Sequence, residues 1–94
     1  MSGASGDTVR VWLVERTYSD DEQNLIILTY ATPDGDQYFR KERALTSFTD
    51  RRDTTAAVDA RSENLGSVDD PDLQAQYAAE ARRMADDHAP DDVI

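Results

Sequence analysis

From Thr8 to Tyr18, apolar Val9, Val11 and Leu13 alternate with Arg10, Trp12, Val14 and Arg16. A period of two predicts a β-strand, whose successive side chains point to opposite faces. Its centre, Val11-Trp12-Leu13-Val14, is apolar at every position, which suits a strand with cover on both sides. Ser19 to Asn24 is polar and rich in turn formers, and returns the chain antiparallel. Leu25 to Thr32 predicts a second strand, since its β-branched and aromatic content favours strand over helix. Gln37 to about Arg43 predicts a third. It is more polar, as an edge strand should be, because charges there discourage stray pairing.

Thr32-Pro33-Asp34-Gly35-Asp36 joins the last two strands. Pro33 presets φ for the first central position of a type I turn, Asp34 suits the second, and Gly35 supplies the positive φ of a bulge. Thr32 is then expected opposite Asp36. The same register sets Tyr30 opposite Tyr38, Thr29 near Phe39 and Leu28 opposite Arg40. A slip of one residue would exchange the two faces.

Beyond the hairpin the pattern is weaker. In Ala44 to Arg52, Leu45 and Phe48 are spaced for one helical turn. Thr54 to Ala60 reads as a fourth strand, with a short helix as the alternative. Arg61 to Asp69 reads as a loop anchored by Leu65 and Val68. The final element is a helix. Asp70 is a good N-cap, Pro71 suits the first helical position and Asp72 complements the positive end of the helix. Leu73, Tyr77, Ala81 and Met84 share one face. The helix should end by His88, because Pro90 disfavours helical geometry at Ala89.

The fold class expected is therefore α+β: an antiparallel sheet of three or four strands with one C-terminal helix packed on one face. Residues 1–7 are expected as a flexible tail, 8–89 as a single domain and 90–94 as a frayed tail. The register assigns Val9, Val11, Leu13, Leu25, Ile27, Ala31 and Phe39 to the helix side. It gathers Arg10, Trp12, Arg16, Tyr30, Tyr38 and Arg40 on the other. Tyr, Trp and Arg are enriched at interface hot spots, so those six are the candidate partner-binding residues. Residues 44–69 could fold over that face, a second copy could bury it, or a different partner could.

Charge sharpens the picture. The 94 residues carry a formal net charge of −10 with a pI near 4.3. Residues 1–52 are nearly neutral at −2, while residues 53–94 hold −8. Lys41 is the only lysine. An Asp-rich, Lys-poor, Ala-rich surface fits a salt-saturated cytoplasm, where hydrated carboxylates keep a protein dissolved and salt screens their repulsion. With no cysteine, neither disulfides nor thiolate metal sites are available. No apolar run spans a bilayer. The opening residues lack the basic and apolar regions of a signal peptide, so a cytoplasmic location is expected.

Candidate chemistry is sparse. His88, the single histidine, stands beside Asp86 and Asp87 near a helix end, where solvent exposure is the ordinary outcome. Asp34-Gly35-Asp36 lacks the spacing and closing Glu of a calcium loop. No phosphate loop or nucleophile elbow is present. No enzyme, cofactor or metal is expected. Trp12, Tyr30 and Tyr38 beside Arg10, Arg16 and Arg40 could stack bases and hold phosphates, but the strong acidity opposes that. Tyr30-Ala31-Thr32-Pro33-Asp34-Gly35, Tyr38 to Arg43, and Asp69-Asp70-Pro71 opening an Ala-rich helix resemble small acidic proteins of haloarchaea with no assigned function. The resemblance implies a halophilic archaeal cytoplasm and nothing about activity. The function expected is a protein–protein interaction or regulatory module, homodimeric, with a nucleic-acid-associated factor as the alternative.

Overall fold

The computed structural model describes residues 7–19, 25–44 and 54–94. Expectations for the first six residues and for Leu45 and Phe48 lie outside them. The elements are β1 (Thr8–Ser19), β2 (Leu25–Ala31), β3 (Gln37–Ala44), β4 (Ala57–Arg61), β5 (Gly66–Ser67) and α1 (Pro71–Asp87). Among the described residues the five strands form one antiparallel sheet in the order β4-β1-β2-β3-β5. With the C-terminal helix this is an α+β fold. The strand expected within Thr54 to Ala60 is β4. The loop of residues 61–69 contains a turn of 3-10 helix at Ser62–Asn64 and the two-residue β5.

The β2–β3 turn forms where the sequence puts it, but its register is one residue longer. Gly35 N–H donates to the Thr32 carbonyl at 2.8 Å, and Gly35 has φ +74°. Thr32, however, pairs with Gln37, donating to its carbonyl at 3.0 Å. Tyr30 therefore faces Phe39, Ala31 faces Tyr38, Thr29 faces Arg40 and Leu28 faces Lys41. Side chains cause the extra residue. The Asp34 carboxylate accepts from the Thr32 hydroxyl at 2.5 Å and from Asp36 N–H at 2.9 Å, while the Thr32 hydroxyl accepts from Gln37 N–H at 3.2 Å. Such Asx-type bonds draw Asp36 into the loop.

The Thr32 hydroxyl and, after it, Asp36 N–H hold the Asp34 carboxyl below the ordinary carboxylate range. Asp34→Ala should cost about 1 kcal/mol, the usual net worth of such hydrogen bonds. Because the folded pKa is depressed, the ionised carboxylate stabilises the fold above its unfolded pKa. That stabilisation is lost as pH falls through the lower folded value. Urea titrations of both proteins should show the full gap at neutral pH and a shrinking one in acid. A gap independent of pH would contradict this account.

A second irregularity lies in β1. Trp12 pairs with Ala31 and Leu13 with Tyr30, but Glu15 pairs with Thr29, so Val14 is an extra residue between Leu13 and Glu15. A β-bulge of this kind reverses the alternation beyond it. Arg16 consequently joins the face of Leu13, and Glu15 and Thr17 join that of Trp12.

Both corrections re-sort the sheet. One face carries Val9, Val11, Leu13, Ile26, Leu28, Tyr30, Phe39, Val58 and Ala60, and most of these are buried. The other is mixed: Arg10, Trp12, Glu15, Thr17, Ile27, Thr29, Ala31, Tyr38, Arg40 and Asp59. The helix, expected on the side of Leu13 and Phe39, lies instead over the mixed face. There its Leu73 and Tyr77 border a cleft with Thr29 and Tyr38. Small side chains permit that approach. Ala31, Ala57 and Ala81 are all buried, alongside Trp12 and Met84. Gly35 also lies directly beneath α1 (a Cβ there would sit 2.0 Å from the Gln74 carbonyl oxygen).

The ends of α1 follow the sequence. The Asp70 carboxylate accepts from Asp72 N–H at 3.0 Å, Pro71 opens the first turn, and His88 N–H donates to the Met84 carbonyl at 2.9 Å. Residues 90–94, expected to fray, are tied down. Ala57 N–H donates to the Pro90 carbonyl at 3.0 Å, Ala56 N–H to that of Asp92 at 2.8 Å, and Ile94 N–H to that of Thr54 at 2.9 Å. Thr55 and Val93 form an antiparallel bridge. Satisfying the backbone groups of residues 54–57, whose Ala56 is fully buried, gives this segment a partner that composition does not reveal.

Candidate functional site

The six candidate partner-binding residues do not form one surface. Tyr30 is 2% exposed and lies on the opposite face from Trp12, which is itself 8% exposed. Arg16, turned over by the bulge at Val14, donates to the Ile94 carbonyl at 3.1 Å. Arg10 is paired across the strands with Asp59, Nε to Oδ1 at 2.9 Å and Nη2 to Oδ2 at 3.4 Å. That pairing holds the Asp59 carboxyl below its ordinary range. The three-ring platform of Trp12, Tyr30 and Tyr38 on which base stacking would depend is not assembled.

Tyr38 and Arg40 remain together. They border a cleft of about 570 Å³ between the mixed face and the N-terminal half of α1. Its floor is a row across three adjacent strands. Glu15 on β1 is the partner of Thr29 on β2, which is the partner of Arg40 on β3. Beside that row Thr17 pairs with Ile27. Leu73 and Tyr77 form the helix side, and Val68 with Asp69 and Asp70 closes one end.

Local sequence explains the placement of each wall. Strand alternation puts Glu15, Thr29 and Arg40 on one face once the bulge and the longer turn are included. Leu73 and Tyr77 are four apart, so they lie on one side of α1. Tyr38 is seated by Gly66, where a Cβ would come within 2.5 Å of its ring. Val68 is held by its N–H to the Asp36 carbonyl at 3.0 Å, and its own carbonyl accepts from the Gln74 side chain.

Burial, then the Glu15 carboxylate, pushes the Tyr77 phenol above its ordinary pKa, while Arg40 acts in the opposite direction. Tyr77 is thus a neutral donor and acceptor placed among groups of both signs. Arg40 makes a loose contact with Glu42 at 3.7 Å. The Glu15 side chain has neither hydrogen bond nor ion pair among the described residues. Thr29 is buried, at 7% exposure, and its hydroxyl has no partner among the described residues.

His88 approaches Asp92 at 3.8 Å, not Asp86 or Asp87. Among the described residues no group of three or more His, Cys, Asp or Glu side chains could hold a metal ion. No helix among them is long and apolar enough to cross a membrane. Neither Glu15 nor Thr29 was singled out by sequence reasoning. The bulge that brings them to this face leaves no compositional mark in the run Val11 to Glu15.

The sequence profile of a family of unknown function (DUF7967) matches residues 5–94, so the chain belongs to that family. No curated protein and no solved structure matches it.

Proposed function

We propose that this member of the DUF7967 family is a non-enzymatic protein–protein interaction or regulatory module. It acts as a homodimer in the salt-rich cytoplasm of a haloarchaeon. The observation that carries the reading is the open outer edge of β3. β5 pairs only with Gln37 and Tyr38, and among the described strands nothing pairs beyond them. An unpaired edge is a ready template for another strand.

Hydrogen-bond parity says which groups are free. Thr32 and Gln37 form a hydrogen-bonded pair, so Tyr30–Phe39 and Leu28–Lys41 are bonded pairs as well. The N–H and C=O of Arg40 and Glu42 therefore point outward. Pairing this edge with a second copy, antiparallel and centred on Lys41, sets Arg40 opposite Glu42 twice and satisfies four backbone groups on each chain. Opposite charges directly across a ladder stabilise it, so the two Arg40–Glu42 pairs offset the single Lys41–Lys41 apposition at the centre of this register. An acidic, Asp-rich surface supports the salt-rich setting, because screening lets two copies of net charge −10 approach each other.

Sedimentation in molar KCl should show a concentration-dependent dimer. Glu42→Pro removes one outward N–H without touching the β2 ladder, a placement proline tolerates on edge strands. It should give a folded monomer, with Trp12 emission reporting the fold. A wild-type monomer at high concentration, or a Glu42→Pro dimer of unchanged strength, would sink the proposal.

A further inference from the structure

The cleft beside this edge offers a site of different chemistry. We propose that it binds a small zwitterion, a ligand with one ammonium, one carboxylate and an apolar side chain, of the size of a free amino acid. This goes beyond the assembly reading and does not depend on it.

The row Glu15–Thr29–Arg40 carries the inference. Its members sit on three successive strands of one face. Strands lie about 4.8 Å apart, so the backbones bearing the anion and the cation are roughly 10 Å apart with the Thr29 hydroxyl between them. That separation leaves room for a ligand whose two charges face Glu15 and Arg40. The cleft holds about 570 Å³, room for a small molecule.

Thr29 supplies the independent sign of a ligand. Thr29 is 7% exposed, lines the cleft floor, and among the described residues its hydroxyl has no partner, so its hydrogen-bonding capacity is available to a ligand there. The hydroxyl can accept from an ammonium or donate to a carboxylate. Among the described residues the Glu15 carboxylate likewise has no ion pair. Ile27 and Leu73 give the apolar wall a side chain needs, and Tyr77 lies over the row close enough to feel Glu15 and Arg40. An anion alone would meet Glu15, Asp69 and Asp70, so a carboxylate can reach Arg40 only on a ligand that also brings an ammonium for them. A ligand bearing both signs is the one that opposes neither.

L-Leucine and the two analogues that lack one of its charged groups test this. L-Leucine, isopentylamine and 4-methylpentanoate are titrated into isotope-labelled protein, and the backbone amide shifts of Thr29, Tyr38 and Tyr77 are followed. L-Leucine should saturate those shifts. Each single-ended analogue should bind at least about ten-fold more weakly, having lost one charge-assisted contact. Glu15→Gln should weaken L-leucine by a similar factor and tighten 4-methylpentanoate, whose carboxylate it no longer repels. Thr29→Val should weaken it and Thr29→Ser should not. Absence of shifts with L-leucine up to its solubility, or equal affinity for all three molecules, would overturn the proposal. Neither result bears on dimerisation, which sedimentation reads through Glu42.

Discussion

Gly35→Ala should be among the most damaging single changes in this chain, at roughly 3 kcal/mol or more. Two independent costs add. The backbone at Gly35 has φ +74°, where a residue with a Cβ loses on the order of 1–2 kcal/mol. The new Cβ would also lie 2.0 Å from the Gln74 carbonyl oxygen and 2.9 Å from the Ala78 nitrogen. Both are backbone atoms within α1, so no side-chain rotation relieves the contact. Either the hairpin tip or the helix has to move. Small domains hold about 5–15 kcal/mol in all, so the loss should be visible as a large fall in the urea midpoint measured in molar KCl. A loss under about 1 kcal/mol would mean that the helix does not rest on the turn.

The second large effect separates two tyrosines that the sequence treats as a pair. Tyr30→Ala should cost about 3–5 kcal/mol, the range for removing a fully buried aromatic ring. Tyr30 is among the largest fully buried side chains and touches Phe39, ring centroids 6.1 Å apart. Tyr38→Ala should cost much less, because that ring lines an open cleft and packs on Gly66. Denaturant titrations of the two variants compare them directly. Equal losses would indicate that both rings share one environment, as the shorter register would require.

That contrast shows where the sequence was legible. The strands β1, β2 and β3, the turn at Pro33-Asp34-Gly35, the cap at Asp70 and the end of α1 at His88 all announce themselves through period or local stereochemistry. Two single-residue events do not. Val14 continues an apolar run, so nothing marks it as the bulged residue. Asp36 enters the loop because the Thr32 and Asp34 side chains capture neighbouring N–H groups, which competes with the tighter turn that Gly35 alone suggests. Each event shifts alternation by one. Together they moved Tyr30 and Arg16 off the expected surface and brought Glu15 and Thr29 into the cleft. The pairing of residues 54–57 with 90–94 was equally hidden, since neither stretch has a strong strand pattern.

The strand order has a kinetic consequence. β1, β2 and β3 are neighbours in the chain as well as in the sheet, so their meander can form through short loop closures. β4 must instead find β1 across the whole meander, with Thr8 meeting Arg61, and residues 54–57 must wait for the last five residues of the chain. Long-range closure of this kind is slow relative to local pairing. The β1 edge is therefore bare until β4 arrives, in a part of the chain that is nearly neutral at −2, so pairing with β4, and not charge, is what closes that edge to stray strands.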